Sequence, residues 1–157
     1  MTPAIKALQR AAVEFQVHEY THDPEAASFG LEAAAALGLD AESVFKTLLA
    51  KLDGKRLVVA IVPVSGLLDL KALARATGAK RAEMAEPAEA ERSTGYVVGG
   101  ISPFGQRKRL ATLLDSSALA RARINVSGGR RGLEISLAPR TLIEVLKAEV
   151  ADIARGS

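Results

Sequence analysis

Residues 44–62 have the sequence VFKTLLAKLDGKRLVVAIV, and the architecture can be worked out from this segment. The runs 44–49 and 57–62 are rich in Val, Leu and Ile, as strands are. Between them lies Asp53-Gly54, a dipeptide typical of tight hairpin turns. Asp40 precedes the first run and is placed to cap a short turn that leads into it. The segment therefore predicts an antiparallel hairpin.

Helices are predicted on both sides of this hairpin. Thr2-Pro3 provides a hydroxyl cap and a proline at the first helical position. Glycines follow three of the apolar-periodic segments, as they do at helix C-termini. The predicted helices begin at Thr2, cover 29–37, 69–76 and 87–93, and run from Pro139 along an apolar stripe that reaches Val150 and Ile153.

Short strands are predicted in the remaining segments, from alternating or β-branched residues bounded by turn residues. They cover 15–20, 80–84, 96–98, 110–114, 124–126 and 133–137. No internal repeat, linker or low-complexity tract interrupts the chain. The sequence therefore predicts one α+β domain over residues 1–157, with a mixed, largely antiparallel sheet and flanking helices.

Composition narrows the class of protein. The 157 residues are 48% hydrophobic, which suits one compact domain with a sizeable core. Cysteine is absent, which excludes disulfides, Cys-ligated zinc and a protein thiol nucleophile. No apolar run approaches the roughly 20 residues that span a bilayer, and no signal peptide is recognisable. A cytoplasmic protein without a membrane segment is expected.

Charge is distributed unevenly along the chain. Residues 1–99 carry a net charge of −2, whereas residues 100–157 carry +5. The basic excess is concentrated in Arg107-Lys108-Arg109 and Arg130-Arg131. A polyanionic partner would explain these clusters, and a solvated basic surface is the alternative.

The string His18-Glu19-Tyr20-Thr21-His22 matches the zinc-protease motif letter for letter. That chemistry requires both histidines on one face of a helix. Here the flanking residues favour a strand, and Asp23-Pro24 ends it. Two residues four apart on a strand lie roughly 13 Å apart, at about 3.3 Å per residue. No metal site and no cofactor are therefore predicted.

Lys46 and two glycine-rich loops are the candidates for a binding site. Lys46 lies between apolar neighbours, as an edge-strand charge or a pocket residue would. Gly99-Gly100 follow a predicted strand, and such pairs let the backbone and its amides approach an anion. Ser127-Gly128-Gly129 form a second loop of this kind. Plain structural turns are the alternative for both loops.

Several longer strings carry a resemblance to a known family. The chain resembles the YbaK/EbsC family, which is related to the editing domain of bacterial prolyl-tRNA synthetases. The similar strings extend from end to end of the chain. They are Thr2-Pro3-Ala4-Ile5-Lys6, His18-Glu19-Tyr20, Tyr20-Thr21-His22-Asp23-Pro24, Val44-Phe45-Lys46-Thr47-Leu48, Pro63-Val64-Ser65, Leu68-Asp69-Leu70-Lys71, Gly95 to Gly105, and Ser127 to Glu134.

The resemblance implies a mixed-sheet α+β fold and hydrolytic release of wrongly attached amino acids from tRNA. It implies Lys46, Gly99 and Gly100 as catalytic groups. Substrate-binding residues implied in the same way are Tyr20, Phe29, Thr47, Ser102, Ser127, Gly128 and Gly129, with Glu134 as the weakest assignment. The tRNA backbone would meet Arg107, Lys108, Arg109, Arg130 and Arg131.

The implied substrate is cysteine attached to proline tRNA, with prolyl-tRNA synthetase as a partner. Our mechanistic hypothesis is that the thiol of the substrate attacks its own carbonyl. Two alternatives stay open, namely a deacylase for another small amino acid such as alanine and a non-catalytic module that binds tRNA or nucleotides.

Overall fold

A computed structural model describes residues 1–26 and 28–156. The helices are α1 (Pro3–Ala11), α2 (Phe29–Leu37), α3 (Leu70–Thr77), α4 (Pro87–Thr94) and α5 (Pro139–Leu146), with short 3₁₀ helices at Ala41–Ser43 and Ser116–Ala120. The strands are β1 (Gln16–Glu19), β2 (Phe45–Leu52), β3 (Arg56–Pro63), β4 (Gly66–Leu68), β5 (Ala82–Met84), β6 (Thr112–Asp115), β7 (Ile124–Ser127), β8 (Leu133–Leu137), β9 (Glu149–Ala151) and β10 (Ala154–Gly156).

The strands form two sheets and a two-stranded ribbon. The larger sheet has the order β5-β2-β3-β6-β9, the smaller has the order β1-β8-β7, and β10 pairs with β4. Only β3 with β6 and β6 with β9 pair in parallel among the described strands. The predicted α+β fold with a mixed, largely antiparallel sheet is confirmed.

The predicted hairpin is formed by β2 and β3, which pair over their full length from Phe45↔Pro63 to Leu52↔Arg56. Asp53 and Gly54 have φ values of 51° and 69°. Positive φ at both positions is what Asp-Gly favours in tight hairpin turns.

Helix ends follow the predicted capping residues. The Thr2 hydroxyl accepts a hydrogen bond from the Ile5 amide at the start of α1. Gly38, Gly78 and Gly95 all adopt the left-handed conformation directly after α2, α3 and α4. A left-handed glycine ends a helix without the steric cost that a Cβ would add.

Two predictions about secondary structure are wrong. Residues 96–98 form part of a turn rather than a strand, and Val97 is 70% exposed there. The last helix ends at Leu146, because Lys147 takes a left-handed φ of 53°. Val150 consequently lies in β9, which pairs in parallel with β6, and Ile153 lies in the core beyond it.

Hydrophobic residues pack on both faces of the β2–β3 hairpin. Phe45, Leu49 and Ile61 belong to the larger cluster, together with residues of α1, α5, β7 and β8. Ala50 and Val62 belong to a second cluster with residues of β4 and α3. The hairpin is therefore the layer that the two clusters share.

None of the described helices is long and apolar enough for a membrane span.

An isolated backbone bridge joins the two sheets beside the start of β2. Val44 forms an isolated parallel bridge with Asn125 of β7. The Asn125 side chain reinforces this junction by donating to the Ser43 carbonyl at 3.2 Å. A cleft lies beside this junction and is lined by residues of both sheets.

Candidate active site

The cleft exists because β2 is only partly paired on one side. β3 covers one edge of β2 completely, whereas β5 pairs only with Ala50–Leu52 on the other edge. Residues 45–48 therefore leave an uncovered strand edge, with no strand paired to it among the described residues. A cavity of about 420 Å³ lies along this edge, with α2, α4 and both glycine-rich loops around it.

Thr47 presents polar groups to this cavity. The Leu49 carbonyl accepts from the Ala85 amide at 3.0 Å, which shows that Leu49 turns its main-chain groups away from β3. Alternate residues of an antiparallel strand bond on the same side, so the Thr47 amide and carbonyl also point away from β3. The Thr47 Oγ1 is buried and has no hydrogen-bond partner in the part of the chain that the structure describes.

Lys46 also lines the cavity, in a half-buried position. Its Nζ donates to the Gly66 carbonyl of β4 at 2.9 Å. Burial lowers the pKa of the Lys46 ammonium below its ordinary value. The amine is thus anchored at one wall of the cavity that Gly99 and Ser127 also line, and among the described residues it forms no hydrogen bond to either glycine-rich loop.

The first glycine-rich loop approaches its neighbours very closely. Gly99 has a φ of +95°, and a Cβ there would lie 2.6 Å from the Phe29 ring and 2.7 Å from Arg131 Nε. A Cβ on Gly100 would lie 2.8 Å from the Arg130 Cα. Both positions therefore require glycine for packing.

The amides of the two glycines differ in availability. The Gly100 amide donates to the Val97 carbonyl at 2.9 Å within the turn. This bond corrects the prediction that Gly100 offers a free amide to a reacting carbonyl. The Gly99 amide has no acceptor among the described residues, and Gly99 lines the cavity.

Phe29 and Arg131 contact each other at the rim of the cavity. The Arg131 guanidinium stacks on the Phe29 ring at 3.6 Å and donates to the Val98 carbonyl at 3.2 Å. These two contacts join the start of α2, the first glycine-rich loop and the second loop. The stacked arrangement suits the planar guanidinium.

The smaller sheet contributes Tyr20, Ser127 and Glu134. Ser127 of β7 pairs with Glu134 of β8, and His18 of β1 is the other register partner of Glu134. Glu134 is 6% exposed, and its Oε2 has no hydrogen-bond partner among the described residues. Burial raises the pKa of the Glu134 carboxyl to about 8. Burial also raises the pKa of Tyr20, although a hydrogen bond with the Gly132 backbone acts in the opposite direction.

Three predicted substrate-binding residues lie outside the cavity and have a structural explanation. The Ser102 Oγ is fully buried and accepts from the Phe104 amide. Gly128 donates to Leu133 and accepts from the Thr2 hydroxyl, which ties the second loop to α1. Gly129 donates to the Ser127 Oγ at 3.1 Å. All three therefore shape the loops that carry the lining residues.

The predicted tRNA-binding cations divide into two groups. Arg130 and Arg131 line the cavity, and Arg130 lies 3.7 Å from Glu19. Lys108 and Arg109 border a different cavity of about 250 Å³. Arg107, Lys108 and Arg109 are exposed and form no ion pair within the described part of the chain.

The zinc-protease string does not form a helix: His18 and Glu19 end β1, and residues 20–22 follow it without regular secondary structure. His18 belongs to β1, and the His22 Nδ1 lies 2.8 Å from Glu32 Oε1. Within residues 1–26 and 28–156, no three His, Cys, Asp or Glu side chains are grouped as metal ligands would be.

Sequence patterns missed several features of the cavity. Val98 and Met84 line it, although turn and strand patterns gave no sign of that role. Gly66, the partner of Lys46, belongs to a strand that was not predicted. The alternation in Leu133–Leu137 offered one usable signal, because a glutamate within an otherwise apolar strand is seldom fully buried without a reason.

The fold and the cavity together define a class of protein. A compact α+β scaffold presents a mainly apolar cavity with cations at its rim, a free backbone amide and few polar side chains. Such a cavity suits a small, largely apolar group attached to an anionic part that reaches the arginines.

Comparisons with known proteins agree with this class. A family model for the aminoacyl-tRNA editing domain matches residues 23–145. A protein of Enterococcus faecalis that bears the name Cys-tRNA(Pro)/Cys-tRNA(Cys) deacylase EbsC is 34% identical over 152 residues, which cover 97% of this chain and 92% of that protein.

Solved structures share the fold. One that is described as a trans-editing enzyme for prolyl tRNA synthetase has a TM-score of 0.84 at 25% identity and covers 99% of both chains. The hypothetical protein APE2540 has a TM-score of 0.88 at 23% identity, over 98% of this chain and 100% of its own, and shows the fold alone. The chain belongs to the aminoacyl-tRNA editing domain family, and the predicted YbaK/EbsC resemblance and enzyme class are confirmed.

We expect Glu134→Gln to make the protein more stable at pH 8 and to leave stability nearly unchanged at pH 4.5. The folded-state pKa is about 8 against an ordinary value of 4.5, so the unfolded chain binds fewer protons between these pH values. Wild-type stability therefore falls as the pH rises through that window, by on the order of a few kcal/mol. A neutral amide does not titrate and removes this loss.

Urea denaturation at pH 4.5, 6 and 8 measures the effect. Glu83→Gln is the matched control, because Glu83 is exposed on β5. A difference between wild type and Glu134→Gln that stays constant over this range would contradict the raised pKa.

Proposed function

We propose that the protein is a trans-editing deacylase that removes cysteine from mischarged tRNA(Pro), working as one domain over residues 1–157 in the cytoplasm. The observation that carries the proposal is the cavity that Lys46, Thr47, Gly99 and Ser127 share at the uncovered edge of β2. The name of the E. faecalis relative supports cysteine as the amino acid.

The chemical need for such an enzyme follows from the limits of size discrimination. A synthetase pocket that differs by about one methylene between two amino acids gains only about 1–3 kcal/mol of selectivity. A second site that responds to a thiol adds a criterion independent of size. An aminoacyl ester is already activated, so the site needs to position it and to stabilise the charge that develops.

In the proposed reaction the substrate provides its own nucleophile. The thiol sulfur attacks the carbonyl carbon, a carbon–sulfur bond forms, and the bond to the ribose oxygen breaks. The thiol proton is transferred to the departing ribose oxygen, and water later opens the cyclic thioester. The chain itself has no cysteine to offer.

Gly99 and Lys46 are the groups that we assign to this reaction. The Gly99 amide has no acceptor among the described residues, and Gly99 lines the cavity, so this amide is the candidate donor to the developing oxyanion, a role worth roughly 2.7–4 kcal/mol in other enzymes. The Lys46 ammonium, held at the Gly66 carbonyl, would exchange that partner for the terminal nucleotide or the thiolate. Tyr20, Phe29 and Thr47 would surround the acyl group.

Polyanion binding would extend beyond the cavity. Arg130 and Arg131 lie at its rim, and Arg107, Lys108 and Arg109 carry exposed charge without ion-pair partners among the described residues. We assign these five residues to the tRNA backbone. Prolyl-tRNA synthetase is the proposed partner in the cell, in keeping with the description of one structural relative.

Lys46→Ala should lower kcat/KM for Cys-tRNA(Pro) about 10²–10³-fold, because an electrostatic contact at the reacting centre is lost. The fold should persist, since the removed side chain makes one hydrogen bond. Lys51→Ala is the matched control: Lys51 lies on the same strand but pairs with Glu89. Turnover by Lys46→Ala equal to that of Lys51→Ala would remove Lys46 from the mechanism.

The thiol mechanism predicts a strong preference among mischarged tRNAs. Ser-tRNA(Pro) and Ala-tRNA(Pro) should be cleaved more than about tenfold more slowly than Cys-tRNA(Pro), because a hydroxyl is a poorer nucleophile and a methyl group is none. Initial rates with and without the synthetase provide the measurement. Equal rates would indicate attack by water, faster cleavage of Ala-tRNA(Pro) an alanine deacylase, and no turnover at all a binding module.

Replacement of Arg107, Lys108 and Arg109 by Gln should make tRNA binding less dependent on salt. Each lost phosphate contact reduces the slope of log affinity against log salt by about 0.7–0.9. The matched control replaces Lys55 and Arg56 by Gln, since both are exposed at the far end of the β2–β3 hairpin. Identical slopes for wild type and the triple variant would assign these cations to a solvated surface.

A further inference from the structure

The side chains that line the cavity include more cations than carboxylates. Lys46, Arg130 and Arg131 contribute cations to its lining. Glu134 is the one acidic side chain among the described residues that line it. A ligand that fits this set of charges carries negative charge toward the arginines and one positive group that reaches the carboxyl.

Two polar atoms in this cavity lack partners. The Glu134 Oε2 and the Thr47 Oγ1 are both buried without a hydrogen-bond partner in residues 1–26 and 28–156. Their residues are 6% and 9% exposed, and both line the cavity. Buried polar atoms in folded proteins are almost always hydrogen-bonded, so an unpaired pair at a binding cavity indicates a ligand group that completes them.

An aminoacyl ester at the 3′ end of tRNA matches this pattern. Its phosphates are anionic, and its α-ammonium group is its single cation near the ester. An ammonium group has three N–H donors and no acceptor, which complements a carboxylate oxygen and a hydroxyl oxygen. We propose that Glu134, assisted by Thr47 Oγ1, binds the α-ammonium group of the aminoacyl ester and so positions its carbonyl. This inference rests on the proposed deacylase function.

The local surroundings make this binding proton-linked. Glu134 faces His18 and Tyr20 from the β1 side, Ser127 from β7, and shares the cavity with Lys46, Arg130 and Arg131. No hydrogen bond from these groups reaches it among the described residues, and its carboxyl is neutral near pH 7 because burial raises its pKa. An ammonium within hydrogen-bond distance favours the carboxylate, so the carboxyl proton leaves to solvent when substrate binds.

The ammonium site would distinguish substrates with a free α-amine from those with an acylated one, which recognition of size or of a thiol does not do. An N-acylated substrate, such as a peptidyl or formylated ester, has no ammonium group and leaves the Glu134 oxygen unpaired. Removal of a charged hydrogen-bond partner costs about 1.5–3 kcal/mol. The protein should therefore discriminate against blocked amines by about 10–150-fold in kcat/KM.

The number of protons released when the ammonium group binds can be measured with a ligand that does not react. The probe is a cysteinyl-adenosine analogue in which an amide replaces the ester, titrated calorimetrically at pH 6.5 in buffers of different ionisation enthalpy. Wild type should release close to one proton for each analogue bound, and Glu134→Gln none. A matching analogue with an α-hydroxyl in place of the amine should bind about 10–100-fold more weakly, without proton release.

Kinetics provide the second readout. Wild type should prefer Cys-tRNA(Pro) to its N-acetylated form by the factor given above, whereas Glu134→Gln should reduce that preference to within about threefold. The Glu83→Gln variant should retain the wild-type preference.

The outcomes separate this inference from the proposed function. Turnover by wild type without proton release, or with an unchanged preference in Glu134→Gln, would overturn the ammonium site and leave the deacylase intact. An absence of turnover on every mischarged tRNA would instead overturn the function. If Glu134→Gln does not fold, the proton count on wild type decides the question alone.

Discussion

Incomplete pairing of one strand is the constraint on which the site depends. β2 is satisfied along its whole length by β3, so the hairpin is secure and two hydrophobic clusters can pack on its faces. On its other edge, β5 pairs only with Ala50–Leu52, so residues 45–48 have no paired strand there within the described part of the chain. An unpaired strand edge leaves backbone N–H and C=O groups without partners, which would cost free energy in a packed core. In this protein the edge forms a polar wall of a cavity.

The cavity lies on a well-paired β-hairpin but contains buried polar atoms that have no hydrogen-bond partner among the described residues. Thr47 and Glu134 come from two different sheets, which are joined by the Val44–Asn125 bridge and pack against each other in one hydrophobic cluster. Burying a carboxyl without a partner lowers the stability of the folded state at neutral pH. Functional sites often keep such locally unfavourable groups, because a ligand supplies the missing contact.

Local patterns predicted the hairpin and the helix caps, because Asp53-Gly54, Thr2 and the C-terminal glycines act through their own backbone geometry. They failed at residues 96–98 and after Leu146. Val97 has a strand-like side chain but lies in a turn, and the stripe that continues to Ile153 belongs to β9 and the core. Periodicity cannot distinguish these cases, since partners distant in sequence decide them.

The site was predictable only in part, for a related reason. Resemblance pointed to Lys46, Thr47 and Gly99, which do line one cavity. It could not show that the Gly100 amide is already used within its turn, or that Ser102 is enclosed behind the loop. Whether a polar group is free depends on every other group that could bond to it, and that requires coordinates.

The stacked contact between Arg131 and Phe29 has a consequence for how the chain can vary. Exchange of Arg131 for lysine would preserve the net charge, yet a compact ammonium offers neither a flat face for the ring nor the same fork of donors for Val98. The three segments that this guanidinium joins would then lose both of these contacts. At this position shape, rather than charge, limits which residues are tolerated.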